Sequence, residues 1–461
     1  MGDFLETSGG TAVAYTELQA TAKSVVSSYF NGTDSGNNPL NYFDMTTLPS
    51  IASQLLISIS QPTGSCDFAH KCTIGIDSVA TYLFKTALAY DISPVEILPN
   101  NIYGKDARIR YTRNHAINLF KDITFFINSI GTNVLGSTYL DYYRSNRLSQ
   151  EERNTFDRLT CNTADYLNGN SKKLQKADVM FPIPFYFTKE TGIALPISLL
   201  KICRNEIKFN IADWPEIIIF ENVVTGEKTV PVVGRDIVSA PHLSRLRLLG
   251  EYALIETGAL AQTIKDRRLT VEHITNMNSE NFNPTTCGNA SYQVQFNYLQ
   301  KSVVVALKNT TFPNEHSNYS CGSPAPMNNY TNFLTEYGTQ SPINSMTVSY
   351  GTQTKITANS KYFKLLVPFW HAKYQPESQS NMLVQNYCLE MDDLNPTGGC
   401  ALSIMNRVMI KIEPTAAAKI ASAGGGTLKS GIKEKQQFVF SAFAISLAIM
   451  VTGPSSCVAP S

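Results

Sequence analysis

The sequence predicts an all-β protein built from two sandwiches of antiparallel strands, preceded by a short helical segment. The chain has 461 residues, whereas a single hydrophobic core stops growing at roughly 250–300 residues. Apolar and polar residues alternate with a period of two over much of the chain, which is typical of half-buried strands. Asn, Gly, Pro and Ser separate these short runs, and that pattern favours sandwiches over a parallel sheet.

The segment nearest the N-terminus has a helical period instead. Apolar residues recur every three or four positions in residues 11–30, so we expect an amphipathic helix there. The helix should end before the turn-rich residues 31–39. We assign residues 1–40 to an N-terminal arm.

The strand-like segments follow the arm. Residues 123–135 are predicted to form a hairpin around Gly131, and the other segments are single strands. The segments with alternating apolar residues are 68–76, 123–135, 205–211, 292–298, 303–307, 362–369 and 408–412.

A break in the alternation predicts how the chain is divided. Residues 213–236 interrupt the strand pattern, and we interpret them as a linker between a first sandwich at residues 41–212 and a second at residues 237–461. Within the second sandwich, residues 276–344 contain few periodic apolar residues outside 292–307, which predicts long loops.

The charge balance excludes one class of function. The chain has 38 Lys and Arg against 37 Asp and Glu, a net charge of +1. Nucleic-acid binders need clustered cations to displace counterions from phosphates, so direct nucleic-acid binding is not expected. Charged residues make up 16% of the chain, below the roughly 25% of an ordinary soluble protein. We therefore expect neutral polar groups to cover much of the surface and part of it to lie against partner molecules.

Other sequence features indicate the cellular compartment in which the chain is made. The first residues lack the basic and apolar regions of a signal peptide. The longest apolar run, residues 438–451, is shorter than the roughly 20 residues of a membrane-spanning helix. We expect synthesis in the cytosol. The nine cysteines are odd in number and contain no C-x-x-C pair, which predicts buried thiols rather than a disulfide framework.

No motif predicts catalysis or a cofactor. Metal sites on a strand need two ligands two residues apart, and among the six histidines only His70, with Cys72, has such a neighbour. Without a second pair, a core histidine explains this spacing better. Residues 424–430 end like a P-loop but carry Leu428 where the motif needs glycine. Trp370 either closes a sandwich edge or forms a binding face. We predict no catalytic, metal-binding or cofactor-binding residues.

Two segments are dense in proline, glycine and aromatic residues. Residues 181–197 read Phe-Pro-Ile-Pro-Phe-Tyr-Phe-Thr-Lys-Glu-Thr-Gly-Ile-Ala-Leu-Pro-Ile, and residues 394–403 read Leu-Asn-Pro-Thr-Gly-Gly-Cys-Ala-Leu-Ser. The first resembles the Pro-Leu-Pro-Phe-Phe-Phe … Gly-Leu-Ala-Leu-Pro stretch of the major capsid proteins of nucleocytoplasmic large DNA viruses, particularly the iridovirus-like and phycodnavirus-like branches. The second is similar to the Gln-Pro-Ser-Gly-Thr-Cys-Asn-Phe-Ser stretch of that family.

The motif residues are interpreted as structural determinants. Proline fixes φ and cannot donate a backbone hydrogen bond, so the prolines are expected at strand starts, edges or turns. The glycines are expected in tight turns, the second of which leads the cysteine into the next strand. The structural-motif residues are Pro182, Pro184, Phe185, Gly192, Leu195, Pro196, Pro396, Gly398 and Cys400.

The resemblance implies two consecutive eight-stranded antiparallel jelly rolls, a double jelly roll, in one chain. It implies a homotrimeric, pseudo-hexameric capsomer that tiles an icosahedral shell, with no enzymatic activity and no cofactor. The partners would be further copies of the chain, penton and minor capsid proteins and an inner viral membrane. The chain would be assembled in the host cytoplasm and would reside in the virion capsid.

Two alternatives stay open at this point. One is a poxvirus-type double jelly-roll scaffold protein on a viral membrane. The other is a carbohydrate-binding β-sandwich, which would have a ligand cleft.

Overall fold

The computed structural model describes most of the chain. The described residues are 53–168, 172–200, 204–224, 227–255, 267–285, 290–311, 316–321, 340–377, 380–393, 397–405, 407–424, 435–452 and 457–458. The predicted arm at residues 1–40 and the motif residue Pro396 lie outside them. The chain divides into two compact units, one of Met1–Gln54 with Leu254–Thr263 and one of Leu55–Ala253 with Ile264–Ser461. The second unit contains almost all of the described strands.

The first group of strands forms four sheets. The strands are β1 (Ser53–Ser60), β2 (Pro62–Thr63), β3 (Lys71–Gly75), β4 (Tyr82–Ile92), β5 (Val95–Glu96), β6 (Ala107–Tyr111), β7 (Phe120–Ile127), β8 (Ile130–Gly136), β9 (Lys173–Leu174), β10 (Ala177–Pro182), β11 (Asn205–Ile211), β12 (Ile218–Asn222), β13 (Lys228–Thr229) and β14 (Leu243–Ile255). The sheets have the orders β1-β14-β4-β10, β2-β3-β11-β7-β8 and β13-β12-β6, and β5 pairs with β9. The pairings of β4 with β10 and of β7 with β11 are antiparallel, as expected for a sandwich.

The second group forms two sheets. The strands are β15 (Arg267–Asn276), β16 (Glu280–Phe282), β17 (Ala290–Val294), β18 (Leu299–Asn309), β19 (Ile343–Tyr350), β20 (Gln353–Asn359), β21 (Leu383–Asn386), β22 (Val408–Pro414), β23 (Phe438–Thr452) and β24 (Cys457–Val458). One sheet has the order β15-β23-β18-β21, and β16 and β24 also pair with β23. The other has the order β17-β22-β19-β20. The architecture is the predicted double jelly roll.

Short helices connect the strands. They are the α-helices α1 (His115–Asn118), α2 (Ser137–Asn146), α3 (Gln150–Leu159), α4 (Ala164–Leu167), α5 (Val367–His371) and α6 (Ala416–Ser422), the 3₁₀ helices Gly104–Asp106, Tyr186–Thr188, Thr191–Ile193, Ile197–Leu200 and Trp214–Glu216, and the π-helix Tyr362–Leu366. A capping box starts α3, because the Ser149 hydroxyl accepts from the Glu152 N–H and the Glu152 carboxylate accepts from the Ser149 N–H. No helix in the described residues is long and apolar enough to cross a membrane.

The sheet β15-β23-β18-β21 is apolar on both faces. Val304 and Phe443 belong to one core, which they share with the first group of strands, whereas Val303, Val305 and Ala444 belong to a second core within the second group. A sheet covered on both sides needs nearly continuous apolar strands. The apolar run at residues 438–451 is therefore a strand, β23, buried between the two cores.

The prediction of a strand at residues 362–369 is wrong. These residues form the π-helix and the first part of α5. Phe363 and Val367, four residues apart, are both buried, which is the spacing of one helical face. Every second position of this segment is apolar, which imitates a strand: Phe363, Leu365, Val367 and Phe369.

The strand pairing differs from the predicted division at residues 213–236. Within the predicted linker, β12 pairs with β6, and β14, assigned to the second sandwich, pairs with β4. Ile218, Ile219 and Phe220 are all buried, so β12 shows no alternation. The rest of the predicted division stays a prediction.

The region predicted as long loops contains strands of both sheets. β16, β17 and β18 all lie within residues 276–344. β18 is a central strand between β23 and β21. Residues 322–339, the longest part of this region without a strand pattern, lie outside the described residues.

The prediction that the cysteines are free is wrong for one pair. Cys66 and Cys72 form a disulfide, with 5.4 Å between their Cα atoms. Because the Cys72 sulfur is bonded to Cys66, it is not a free metal ligand. His70 is exposed and not the expected core histidine, and its Nδ1 contacts the Phe68 carbonyl. No group of three metal-binding side chains occurs among the described residues. The free thiols of Cys161, Cys321 and Cys388 are buried as predicted, whereas Cys400 is only partly buried. Burial raises the pKa of Cys321 to about 11.

We expect the disulfide to stabilise the isolated chain modestly. A loop closed over six positions contributes about 2 kcal/mol by restricting the unfolded chain. Cys66→Ser should lower the thermal unfolding midpoint by a few degrees, and a reductant should lower the wild-type midpoint to the same value. Peptide mapping without reductant should recover the linked Cys66–Cys72 peptides. Quantitative alkylation of both cysteines in the untreated protein would contradict the assignment.

Candidate functional site

The prolines of the first motif lie where the chain leaves the ladder of its sheet. Pro182 is the last residue of β10, an edge strand of its sheet, opposite Ala87. Pro184 follows Ile183, whose N–H donates to the Thr86 carbonyl. Pro196 follows Leu195, which is buried and exchanges both backbone hydrogen bonds with Leu83 on β4. A missing N–H leaves no gap in the ladder at such positions.

Aromatic residues of the same motif pack inward. Phe185 lies 5.7 Å from Phe125 and 5.4 Å from Phe187, measured between ring centroids, and all three are buried. The Tyr186 hydroxyl reaches the second group of strands and donates to Met450 Sδ on β23 at 3.3 Å. The motif therefore joins one jelly roll to the other.

The described structure gives no steric reason for a glycine at position 192. It lies in the 3₁₀ helix Thr191–Ile193, and a Cβ atom there would meet open space. The turn that the sequence predicts is present, but its geometry does not demand glycine.

The second motif is attached to the start of β18. Gly398 has a φ of +135°, and a Cβ atom on Gly399 would lie 2.7 Å from Leu299 Cγ. Cys400 exchanges both backbone hydrogen bonds with Gln300, whose Oε1 accepts from the Leu402 N–H at 2.8 Å. Here the close approach of two backbones requires glycine.

A buried carboxylate lies between the two motifs. Glu272 on β15 is only 1% exposed and contacts three cations. Arg147 Nη1 lies 2.8 Å from Glu272 Oε2, Lys301 Nζ lies 3.2 Å from Oε1, and Lys189 Nζ also contacts Oε2. Lys189 belongs to the first motif, and Arg147 directly follows α2. We call Arg147, Lys189, Glu272 and Lys301 the joint cluster.

The segment just before the second motif completes the surroundings of the joint cluster. Arg147 Nε lies 3.3 Å from Asp392 Oδ1, and Arg147 Nη2 donates to the Met391 carbonyl at 3.3 Å. Lys301 Nζ donates to the Asp393 carbonyl. Both sequence motifs thus converge on one set of buried charges.

The joint cluster keeps its carboxylate ionised. Burial alone would raise the pKa of Glu272, but Arg147, Lys189 and Lys301 outweigh burial and hold that pKa well below its ordinary value. Burial, followed by repulsion from Arg147, lowers the pKa of Lys189 to about 8. Each ionised group therefore depends on its neighbours, since an unpaired buried charge is very costly.

Further polar groups cross between the halves of the chain, two of them around α2. Arg144 on α2 binds Asp157 at 2.5 Å and Glu377 at 2.8 Å, and Arg113 binds Glu377 at 3.1 Å. These contacts tie the segment before β21 to the helices α2 and α3.

The other polar group is centred on a buried aspartate. The Asp141 carboxylate on α2 accepts from the Tyr319 hydroxyl and from the Ser317 hydroxyl, both at 2.8 Å. Both partners come from residues 316–321 of the second half. The contacts at this boundary hold an arrangement of the two jelly rolls, and they form no nucleophile–base pair.

Sequence reasoning missed the joint cluster. Its four members are spread from residue 147 to residue 301, and only Lys189 lies in a motif. The available signal was a charge within an apolar strand, as with Glu272 beside Val271 and close to Ile274. Such a charge is rarely buried without partners.

Known proteins share both the sequence pattern and the fold. Residues 57–256 match the family model described as major capsid protein N-terminus, and residues 256–453 match the model described as large eukaryotic DNA virus major capsid protein. The two matches meet at residue 256, between β14 and β15.

Relatives and solved structures cover most of the chain. The chain is 27% identical to the major capsid protein of Invertebrate iridescent virus 6, over 85% of this chain and 87% of that one. It is 28% identical to the major capsid protein of Tipula iridescent virus, over 85% and 86%. The Faustovirus major capsid protein superimposes with a TM-score of 0.70 at 9% identity, covering 95% of this chain and 98% of the other. A PBCV-1 virus capsid structure gives 0.69 at 14% identity, covering 90% and 98%.

Alanine at Gly399 should destabilise the fold. A Cβ atom would overlap Leu299 Cγ and lie 3.1 Å from the Gln300 carbonyl, and forced repacking of this kind costs about 1–3 kcal/mol. We expect a lower thermal midpoint for Gly399→Ala. Gly192→Ala is the matched control, and its midpoint should equal the wild-type value. Equal midpoints for both variants would refute this account of the second motif.

Removing the carboxylate charge of the joint cluster should be more costly. Glu272→Gln leaves Lys189 and Lys301 without their carboxylate partner and leaves Arg147 with Asp392, so we expect a loss of about 3–5 kcal/mol and a clearly lower thermal midpoint. Glu280→Gln, at an exposed position, is the control and should behave like the wild type.

The stability difference between the wild type and Glu272→Gln should depend on pH. Since the pKa of Glu272 is lowered in the folded state, its contribution is fully present above the unfolded pKa, near 4.5, and is lost as the pH falls through the folded value. The difference in midpoint between wild type and Glu272→Gln should therefore shrink below about pH 4.5. A difference that stays constant or grows on acidification would contradict the assigned ionisation.

Proposed function

Because this chain belongs to the major capsid proteins of large eukaryotic DNA viruses, we propose that three copies form a pseudo-hexameric homotrimeric capsomer and that such capsomers tile an icosahedral shell. Two jelly rolls per chain supply six similar sandwiches per trimer. A closed trimer of this kind can meet its neighbours through near-equivalent contacts on six sides. The capsomer and the tiling are the finer part of the proposal, whereas the role as a viral capsid protein follows from the family.

One observation carries the proposal beyond family membership. The two jelly rolls share a sheet that is apolar on both faces, and the joint cluster holds their contact with buried charges. A capsomer built from both sandwiches needs them in a constant relative position, because lattice contacts are made by both. The buried contacts supply such a constraint.

We also propose that the chain acts structurally and not as an enzyme, and that it needs no cofactor. Its partners are further copies of itself, with penton and minor capsid proteins and an inner viral membrane as additional contacts. Assembly takes place in the host cytoplasm, and the product is the virion capsid. We place the division between the two jelly rolls near residue 256, between β14 and β15.

The structural motif residues have a proposed role in this assembly. Pro182, Pro184, Phe185, Leu195, Pro196, Gly398 and Cys400 position the segments that carry Lys189 and Asp392 to the joint cluster. They act inside the subunit, and none of them is proposed to bind a ligand.

The capsomer proposal predicts the mass and outline of the purified protein. Light scattering should give about three times the chain mass of 50.9 kDa, and electron microscopy should show particles with a pseudo-hexagonal outline. A monomer that binds oligosaccharides would favour the carbohydrate-binding alternative. A trimer that coats immature particles but is absent from mature virions would favour the scaffold alternative.

A further inference from the structure

The disulfide closes a short loop at residues 66–72, and this loop contacts the end of a longer segment. Residues 212–242 connect β11 to β14 and contain β12 and β13. Asp67, inside the disulfide loop, holds the end of that connection. Its Oδ1 accepts from the Leu243 N–H at 2.9 Å, and its Oδ2 lies 3.1 Å from His242 Nδ1. We call residues 212–242 the connecting segment.

The same disulfide loop also contacts the start of the connecting segment. The Ala69 N–H donates to the Ala212 carbonyl at 3.0 Å. The Ile211 N–H, at the end of β11, donates to the His70 carbonyl at 3.0 Å. One short loop therefore holds both ends of the connecting segment, and any change in the conformation of the loop reaches both ends.

The disulfide holds this loop in a strained conformation. Ala69 has a φ of +60°, a left-handed conformation that a residue with a Cβ atom keeps only where its surroundings enforce it. The bond keeps the Cα atoms of Cys66 and Cys72 5.4 Å apart, whereas six residues of extended chain span about 20 Å. Without the bond the loop can lengthen, and we expect Ala69 to leave the left-handed region and its contact with Ala212.

A small thiol such as glutathione can reach one of the two sulfur-bearing residues. Cys66 is partly buried, whereas Cys72 is fully buried. We therefore expect a glutathione thiolate to attack the Cys66 sulfur, which releases the Cys72 thiolate to take up a proton. A second glutathione thiolate attacks the glutathione sulfur of this mixed disulfide and releases the Cys66 thiolate, which is protonated in turn. The disulfide is reduced by two electrons, and two glutathione molecules are oxidised to one glutathione disulfide.

We propose that the Cys66–Cys72 bond is a redox-controlled clamp on the connecting segment. When the bond is formed, the disulfide loop holds both ends of the segment, and when the bond is reduced, the loop relaxes and both ends loosen. Ser93 limits the effect, because its N–H donates to the His242 carbonyl at 3.0 Å and its hydroxyl accepts from the His242 N–H at 2.8 Å. The ends therefore loosen without detaching. The clamp lies within one subunit and does not depend on the proposed capsomer.

The connecting segment carries exposed apolar side chains, so the clamp affects a surface. Val224, Val232 and Val238 are all exposed. A rigid surface loses less conformational entropy on binding a partner than a mobile one does. The reducing cytosol, in which we propose that the chain assembles, favours the two thiols, whereas the oxidising environment outside the cell favours the bond. The clamp therefore closes when the protein leaves the cell.

Hydrogen–deuterium exchange of the full chain tests the clamp. Protein oxidised with glutathione disulfide is compared with protein reduced with glutathione, and the intact mass verifies each redox state. We expect reduction to speed exchange of the Ile211 and Leu243 amides about two- to tenfold, the range that corresponds to one hydrogen bond. Exchange in β22, which belongs to the second group of strands, should be the same in both states.

A change at Asp67 separates the two ends of the connecting segment. Asp67→Ala removes the acceptor of the Leu243 N–H, so reduction should no longer change exchange at Leu243 but should still speed it at Ile211. Asp122→Ala is the matched control, because Asp122 contacts β11 through the Asn210 side chain and does not belong to the disulfide loop. In that variant, reduction should act at both ends as in the wild type.

Two further variants distinguish the clamp from a general loss of stability. Cys66→Ser should exchange at both ends like the reduced wild type in either buffer. Gly399→Ala, which is expected to destabilise a different part of the chain, should exchange at Ile211 and Leu243 like the wild type in the same redox state.

Three results would overturn the clamp. The first is equal exchange at Ile211 and Leu243 in the oxidised and reduced wild type. The second is a rise on reduction that is as large in β22 as at the two ends, because the bond would then act on the fold as a whole. The third is a chain that stays reduced in glutathione disulfide. None of these results bears on the number of copies in the capsomer, which light scattering measures separately.

Discussion

The sheet β15-β23-β18-β21 is buried on both faces, and the other features of the molecule depend on this constraint. One face supplies Val304 and Phe443 to the core shared with the first group of strands, and the other supplies Val303 and Ala444 to the second core. A strand in such a position cannot alternate between apolar and polar residues. It also leaves little room for charge, so any charged side chain that points from this sheet must find its partners inside the protein.

Glu272 and Lys301 are the two charged residues that this sheet contributes to the joint cluster. They are satisfied by Arg147 and Lys189 from the first half of the chain. Breaking such a group is costly because the remaining buried charges lose a partner, even where a purely apolar replacement of the whole group would be as stable. The cluster therefore favours one arrangement of the jelly rolls over others.

The two sequence motifs position residues that contact the joint cluster or lie beside it. The prolines at positions 182 and 196 end ladders, as their chemistry requires, and the motif between them brings Lys189 and Tyr186 to the second group of strands. Gly398 and Gly399 allow the second motif to approach β18 closely.

Local chemistry in the sequence is enough to predict the all-β class, the two-sandwich organisation and the places where proline and glycine interrupt strands. Period-two alternation and turn residues are local signals. They predict a strand correctly where one face of the strand is buried and the other is exposed to water. The same signals fail for β12 and for the segment 362–369, because burial on both faces removes the alternation and because a helical face can imitate it. The Cys66–Cys72 bond and the joint cluster were decided only by the tertiary structure. The members of the joint cluster are brought together by strand pairing and by the packing of one jelly roll on the other, and no local pattern records which distant residues will meet. Cys66 and Cys72 are only six positions apart, but nothing in their spacing distinguishes a bonded pair from two free thiols.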